Sequence, residues 1–151
     1  MRRVNDIIAS KPSASNTISP DTLVIEALEL LNSVNLSYLI VLENDEYQGV
    51  FSERDYARNL ILKGRSSKDT RVKNVMATDL PTVQVDDSVE QCMNLMNTHR
   101  TRYLVAFNDM EFAGIITIHD LLRQVIASKE EVFDHSLARQ LIDNDESGRI
   151  F

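Results

Sequence analysis

The chain has a single cysteine, Cys92, and no tryptophan. One thiol cannot form an intrachain disulfide, and the expected home is a reducing cytoplasm. Basic residues are in the minority, 16 against 23 acidic ones, for a net charge of −7. That balance argues against a nucleic-acid surface and disfavours anionic membranes, so neither is an expected partner. Long apolar runs are missing too: none approaches the ~20 residues of a membrane-spanning helix. The opening "MRRVNDIIASKPSA" has a basic start but no apolar core adequate for a signal peptide. Apolar residues (43%) and charged residues (26%) are in ordinary globular proportion. A chain of 151 residues suits one compact domain.

Several kinds of chemistry are equally missing. There is no Gly-rich phosphate loop of the Walker type. His99, His119 and His135 show no metal-ligand spacing with carboxylates or the thiol. The acidic turn Glu43 to Glu46 lacks a calcium-loop pattern. No general acid–base pair stands out, and the chain is not expected to be an enzyme.

What the chain does have is an internal repeat. "GVFSERD", from Gly49, is echoed by "GIITIHD", from Gly114. Aligned on these glycines, Thr17 meets Thr82, Asp21 meets Asp86, Val24 meets Val89, and Tyr38-Leu39 meets Tyr103-Leu104. Asp55 meets Asp120, Arg58 meets Arg123, and Ile61 meets Ile126. Upstream, "VNDII" at Val4 resembles "VKNVM" at Val72 at a slightly longer offset. Two units are too few for a solenoid and suggest a pseudo-twofold pair.

Each unit reads as strand, helix, strand, hairpin, strand, helix. Val24, Ala27, Leu28 and Leu31 share one helical face, as do Val89, Cys92, Met93 and Met96. Cys92 therefore reads as a small core residue, and the methionines as core. Asp21 and Ser88 are positioned to cap the two helices. "SYLIVL" and "RYLVAF" are β-rich runs followed by polar turns. The expected fold is α+β: two β-α-β-β-α repeats packed as a pair, with a C-terminal helix. The first repeat spans 1–62, a linker 63–71, the second repeat 72–128, and a C-terminal helix with a frayed tail 129–151. Lys63, Arg65, Lys68, Arg71 and Lys73 form a basic island in or beside that linker, expected to be mostly solvated.

The Gly–hydroxyl–Asp spacing puts a hydroxyl at a strand's end and a carboxylate in the first turn of the next helix. Two readings stand side by side. The Asp and the hydroxyl can cap the free N–H groups of the helix start. Alternatively the carboxylate can accept the hydroxyls of a ribose, while the helix start favours phosphate. Glycine would let a ligand approach the backbone closely.

At this point the chain resembles a tandem pair of CBS domains, a Bateman module, over roughly Val4 to Ile126. "GVFSERDYAR", "LKGRSSKDT", "VKNVM", "TVQVDDSVEQCMNLM" and "HRTRYLV" carry the likeness, which is closest to small stand-alone bacterial CBS-pair proteins. The resemblance implies clefts between the repeats that take adenosyl ligands such as AMP, ATP or NAD. It implies that Asp55 and Asp120 hold ribose hydroxyls, with Ser52 and Thr117 beside the ribose or its phosphate. Thr17-Ile18 and Thr82-Val83 would line the adenine, Phe51 and Ile116 would wall its slot, and Tyr38 and Tyr103 would border the cleft. Where the family has "LPVV", this chain has "LIVL" and "LVAF", without the proline. Arg54 and Arg102 are the expected phosphate partners; the counterpart of Arg54 is His119. Because Arg54 is always charged, the Asp55 site is expected to take the more anionic ligand. The implied function is a nucleotide sensor, a homodimer that signals to a protein effector. A dimerisation module with empty sites is the second reading, and a nucleotide hydrolase the third.

Overall fold

The structure, a computed structural model, describes residues 2–12, 16–34, 36–127 and 135–146. Its elements are α1 (Val4–Ser10), β1 (Thr17–Ile18), α2 (Val24–Val34), β2 (Tyr38–Glu43), β3 (Glu46–Ser52) and α3 (Glu53–Asp55). There follow β4 (Thr82–Gln84), α4 (Val89–His99), β5 (Tyr103–Asn108), β6 (Glu111–Thr117), α5 (Ile118–Ala127) and α6 (His135–Glu146). α3 runs directly into a π-helical turn, Tyr56–Ile61, and a 3-10 turn spans Val72–Asn74. The expected C-terminal helix is thus present as α6, while the end of the tail lies outside the described residues.

Two three-stranded sheets have the orders β1-β2-β3 and β4-β5-β6. In each, the first strand is parallel to the middle one and the third is antiparallel to it. A parallel pair needs a crossover, which α2 and α4 supply; an antiparallel pair needs only a tight turn. Asn44 and Asp45, with φ of 54° and 64°, meet the positive-φ demand of a two-residue hairpin. Both hairpins carry a bulge at repeat-equivalent positions, Val41/Leu42 and Ala106/Phe107.

The helix starts are satisfied in different ways. Ser88 Oγ accepts from the Gln91 N–H at 3.1 Å, capping α4 as expected. Asp21 does not cap α2. There the N–H groups of Val24 and Ile25 donate to the carbonyls of Thr70 and Ser67 at 2.9 and 3.0 Å. The stretch expected to be a solvated linker is therefore fastened to the first repeat. Arg65 donates to the carbonyls of Asn59 and Asn74, Arg71 to that of Asp21, and Lys73 to the Asp21 carboxylate.

The chain forms two compact units whose boundaries do not follow the repeats. One contains residues 12–79, the other 1–11 and 80–151. The core of the first joins Val24, Ala27, Leu39, Phe51 and Leu60 to Val72 and Val75. The core of the second joins Cys92, Met93, Leu104, Ile116 and Leu121 to Val4 and Ile7 of α1. Cys92 is fully buried, and burial first, then Asp87, pushes its thiol to about 12, so it behaves as an inert core residue. The segments related as "VNDII" and "VKNVM" are thus exchanged, each completing the core of the other repeat.

That exchange explains the repeated glycine. A Cβ on Gly49 would lie 2.7 Å from the Ala77 carbonyl oxygen and 2.9 Å from Met76 Sδ. A Cβ on Gly114 would lie 2.7 Å from Ile8 Cδ1. The missing side chain makes room for the exchanged segment of the protein itself. Backbone cannot yield as a side-chain tip can, so Gly49→Ala should cost about 1–3 kcal/mol. At Gly114 the Ile8 tip can yield, but its φ of 158° is one an L side chain rarely adopts, so Gly114→Ala should also cost about 1–3 kcal/mol. Urea unfolding of the two variants checks this; a loss near zero in either would contradict it.

Candidate functional site

Both strand-to-helix junctions are built by the same reciprocal bonds. At the first, the Ser52 N–H and Oγ donate to Asp55 Oδ2 at 2.8 and 2.9 Å, and Ser52 Oγ accepts from the Asp55 N–H at 3.4 Å. At the second, the Thr117 N–H donates to Asp120 Oδ2 at 2.9 Å and Thr117 Oγ1 accepts from the Asp120 N–H at 3.2 Å. This is a capping box, with Asp at the third helical position in place of the usual Glu. The capping reading of the spacing is therefore realised in both copies. Whether a carboxylate has capacity left for a ligand depends on its second oxygen.

The two carboxylates differ there. Among the described residues no hydrogen bond reaches Asp55 Oδ1. Each carboxylate oxygen can accept two hydrogen bonds, so Oδ1 alone can take both donors of a vicinal diol. Asp120 has no such reserve. Lys11 Nζ donates to its Oδ2 at 2.8 Å, and Arg123 Nη2 donates to its Oδ1 at 2.9 Å. Asp120 is 3% exposed, Asp55 9%.

Their acidities diverge accordingly. Burial raises the pKa of Asp55; the Ser52 hydrogen bonds and the Arg54 charge offset part of the rise, and Asp79 adds to it. Burial acts in the same direction on Asp120 but is outweighed. The Lys11 hydrogen bond and charge, then Thr117 and Arg123, hold that carboxyl below its ordinary value.

The other expected site residues fall in three places. Tyr38 lies opposite Ser52 and Tyr103 opposite Thr117 in strand register, and both tyrosines are buried. Each therefore shares a sheet face with its capping hydroxyl. Thr17 and Thr82 are exposed at the far strand of each sheet, with Ile18 half-buried and Val83 buried. Phe51 and Ile116 are wholly buried in the two hydrophobic cores. Their strand neighbours Val50 and Ile115, not they, share the face of Ser52 and Thr117. Arg54 and His119 are exposed beside the two carboxylates, and Arg102 is half-buried, its carbonyl accepting the Ile118 N–H at 2.9 Å.

Three charged residues were not among the expected site residues: Lys11, Arg123 and Asp79. Carrying the alignment of Val4 with Val72 forward, Lys11 falls opposite Asp79. One repeat thus sets a cation at its carboxylate where the other sets an anion whose field Asp55 feels. Lys11 and Arg123 put two cations on Asp120 itself, so the charge of Arg54 is no longer sufficient ground to expect the more anionic ligand at the Asp55 site. Arg123 stands one α-helical turn beyond Asp120, whereas the residues after Asp55 follow a π-helical turn. Among the described residues no cluster of His, Cys, Asp and Glu could hold a metal ion. No described helix is long and apolar enough to cross a membrane.

Comparison with known proteins places these features in context. The profile of the CBS domain matches residues 4–62 and 72–127. CBS domain-containing protein CBSX3, mitochondrial, of Arabidopsis thaliana is 31% identical over 85% of this chain, which spans 66% of that protein's length. CBS domain-containing protein YhcV of Bacillus subtilis is 30% identical over 70% of this chain and 74% of its own length. A solved putative signal-transduction protein with CBS domains from Burkholderia ambifaria aligns with a TM-score of 0.76 and 33% identity, over 88% of this chain and all of that one. The structure of CBSX2 in complex with AMP has the same fold, with a TM-score of 0.69 and 24% identity over 86% of this chain and all of its own.

The opposite pKa shifts make a stability prediction. A lowered folded-state pKa means that Asp120 stabilises above its unfolded value, ~3.9, and that the benefit fades as pH falls through the folded value. A raised one means that the shift at Asp55 favours folding below the unfolded value and is lost as pH rises through the folded value. At pH 7, Asp120→Asn should therefore cost about 1.5–3 kcal/mol and Asp55→Asn clearly less. Denaturant melts at pH 7 and in mild acid check this, and the gap between the variants should narrow in acid.

Proposed function

The chain belongs to the CBS-domain family, and from that premise we propose that it is an adenine-nucleotide-binding regulatory module. The observation that carries the reading is the Asp55 carboxylate. It is held in place through Oδ2 while Oδ1 carries no hydrogen bond among the described residues. A buried acceptor held in place and left half unused suits a ribose diol, whose hydroxyls can replace the lost water. Arg54, one residue away, offers a forked cation to a phosphate. Tyr38 and Ser52 border the same sheet face. AMP, ATP and NAD share the adenosyl group this arrangement would grip. The bound state acts by favouring one conformation over another, and its effect is limited by that difference in affinity. In this reading a protein effector receives the signal, the module performs no catalysis, and it works in a reducing cytoplasm.

Self-association belongs to the same proposal. Ile61, Leu62 and Ile126 are 52%, 78% and 78% exposed, and Ile61 and Ile126 are repeat partners at the ends of equivalent helices. Apolar residues exposed at matching positions, one set in each unit, suit contacts with a second copy of the chain. The second reading, a dimerisation module with unfilled sites, is favoured by one observation: both oxygens of Asp120 are already bonded within the chain.

Thermal melting with AMP, ATP and NAD separates the two readings. A ligand at 100 times its dissociation constant should add about 2.7 kcal/mol of stability. Asp55→Ala should remove most of that gain, and no gain with any nucleotide would leave the dimerisation reading standing. Product analysis after incubation should find the nucleotide unchanged. Ile61→Glu with Ile126→Glu should convert a dimer to a monomer in light scattering, without loss of the melting transition.

A further inference from the structure

The two repeats present equivalent helical faces, and among the described residues a helix covers only one of them. In the second repeat α6 packs on α4 and α5. Asn97 of α4 fastens it: its Nδ2 donates to the Leu137 carbonyl at 3.5 Å, and its Oδ1 accepts from Asn144 Nδ2 at 3.3 Å. Met93 lies one turn before Asn97 on the same side of α4. Ala138 and Leu141 of α6 are buried in one cluster with Met93 and Leu121, which are themselves wholly buried.

In the first repeat the counterparts stand in the same order. Asn32 corresponds to Asn97, Leu28 to Met93, and Tyr56 to Leu121. Among the described residues no helix packs on α2 as α6 packs on α4. Burial falls accordingly: Leu28 and Tyr56 are half-buried and Asn32 is exposed. The face keeps its apolar pair and its amide anchor without an occupant.

Charge is what has changed. Beside Leu28 stands Glu29, exposed, where α4 has Asn94. α2 carries Glu26 as well and no basic residue. α6 itself has one arginine against three acidic residues. An acidic α2 therefore suits neither the α6 of a second copy nor its own image across a twofold axis, since each sets like charge against like. A helix with basic flanks meets opposite charge there, while its apolar side meets Leu28 and Tyr56.

We propose that the face formed by Leu28, Asn32 and Tyr56 is the docking surface for the effector: a basic amphipathic helix that lies on α2 as α6 lies on α4, with Glu29 selecting its charge. The inference rests on the regulatory reading above for the existence of an effector, and adds that effector's chemistry.

Fluorescence anisotropy of two labelled, helix-stapled peptides, titrated with the full chain at low ionic strength, tests it. One peptide has the α6 sequence, His135–Glu146; the other carries Asp143→Lys, Asp145→Lys and Glu146→Lys. The lysine peptide should bind about tenfold more tightly than the unaltered one. Glu29→Lys should abolish or reverse that preference, and Asn32→Arg should weaken the lysine peptide by about tenfold. Both positions are exposed, so the variants should melt like the parent protein. A peptide that merely displaced α6 from α4 would ignore both substitutions, and unchanged binding in either variant overturns the proposal. So does equal binding of the two peptides, or binding of neither. Light scattering of Asn32→Arg tests the other occupant: a dimer that becomes a monomer would put a second copy on this face and overturn the proposal, whereas an unchanged oligomeric state supports it. Nucleotide melts run alongside keep the two levels apart. Stabilisation by AMP without peptide binding overturns this inference alone. Peptide binding without stabilisation by any nucleotide supports the docking face while the adenosyl reading falls.

Discussion

The reciprocal bonds between a strand's last hydroxyl residue and the carboxylate three positions on organise each repeat. They stop the third strand, start the following helix and fix one carboxylate oxygen against the main chain. A freely rotating aspartate would lose side-chain entropy on meeting a ligand; one already pinned has little left to lose. Capping and ligand binding, which compete in a reading of the sequence, are compatible at Asp55 because the two oxygens can be used separately. At Asp120 they are joined by a third use, the neutralisation of charge by Lys11 and Arg123.

Much of this was legible in the sequence, for a definite reason. The repeat, the helical faces and the Gly–hydroxyl–Asp spacing are local patterns, and local patterns survive in one dimension. Val24, Ala27 and Leu31 lie on one helical face and are buried together. Ser88 caps α4 because a cap needs only a neighbour three residues away. Asp21 failed as a cap because the carbonyls of Thr70 and Ser67, far along the chain, arrive there instead. Lys11 was invisible as a partner of Asp120 for the same reason: nothing near either residue announces the other. Phe51 and Ile116 were assigned to a ligand wall, yet strand alternation puts them on the core face, with Val50 and Ile115 on the opposite side. The family pattern points to a strand end, and the pleat decides which side chain faces which way.

The repeats have diverged in charge while retaining their shape. Strand order, bulge position and glycine placement coincide in the two sheets. Burial raises both carboxyls; at Asp120 the lysine's hydrogen bond and charge, with Thr117 and Arg123, outweigh it, whereas at Asp55 the rise stands and the counterpart aspartate adds to it. Duplication followed by charge reversal can yield two chemically distinct places from one backbone, because packing constrains buried shape more tightly than it constrains partly exposed charge.

The exchanged segments bear on how the molecule is made. α1 leaves the ribosome well before the second repeat, yet Val4 and Ile7 belong to a core whose other members, Met93, Leu104 and Leu121 among them, are translated about 90 to 120 residues later. Until then that short amphipathic stretch has no apolar surface to cover. α1 must wait, unshielded, until the second repeat is made, and the repeat synthesised later is the one that shelters it.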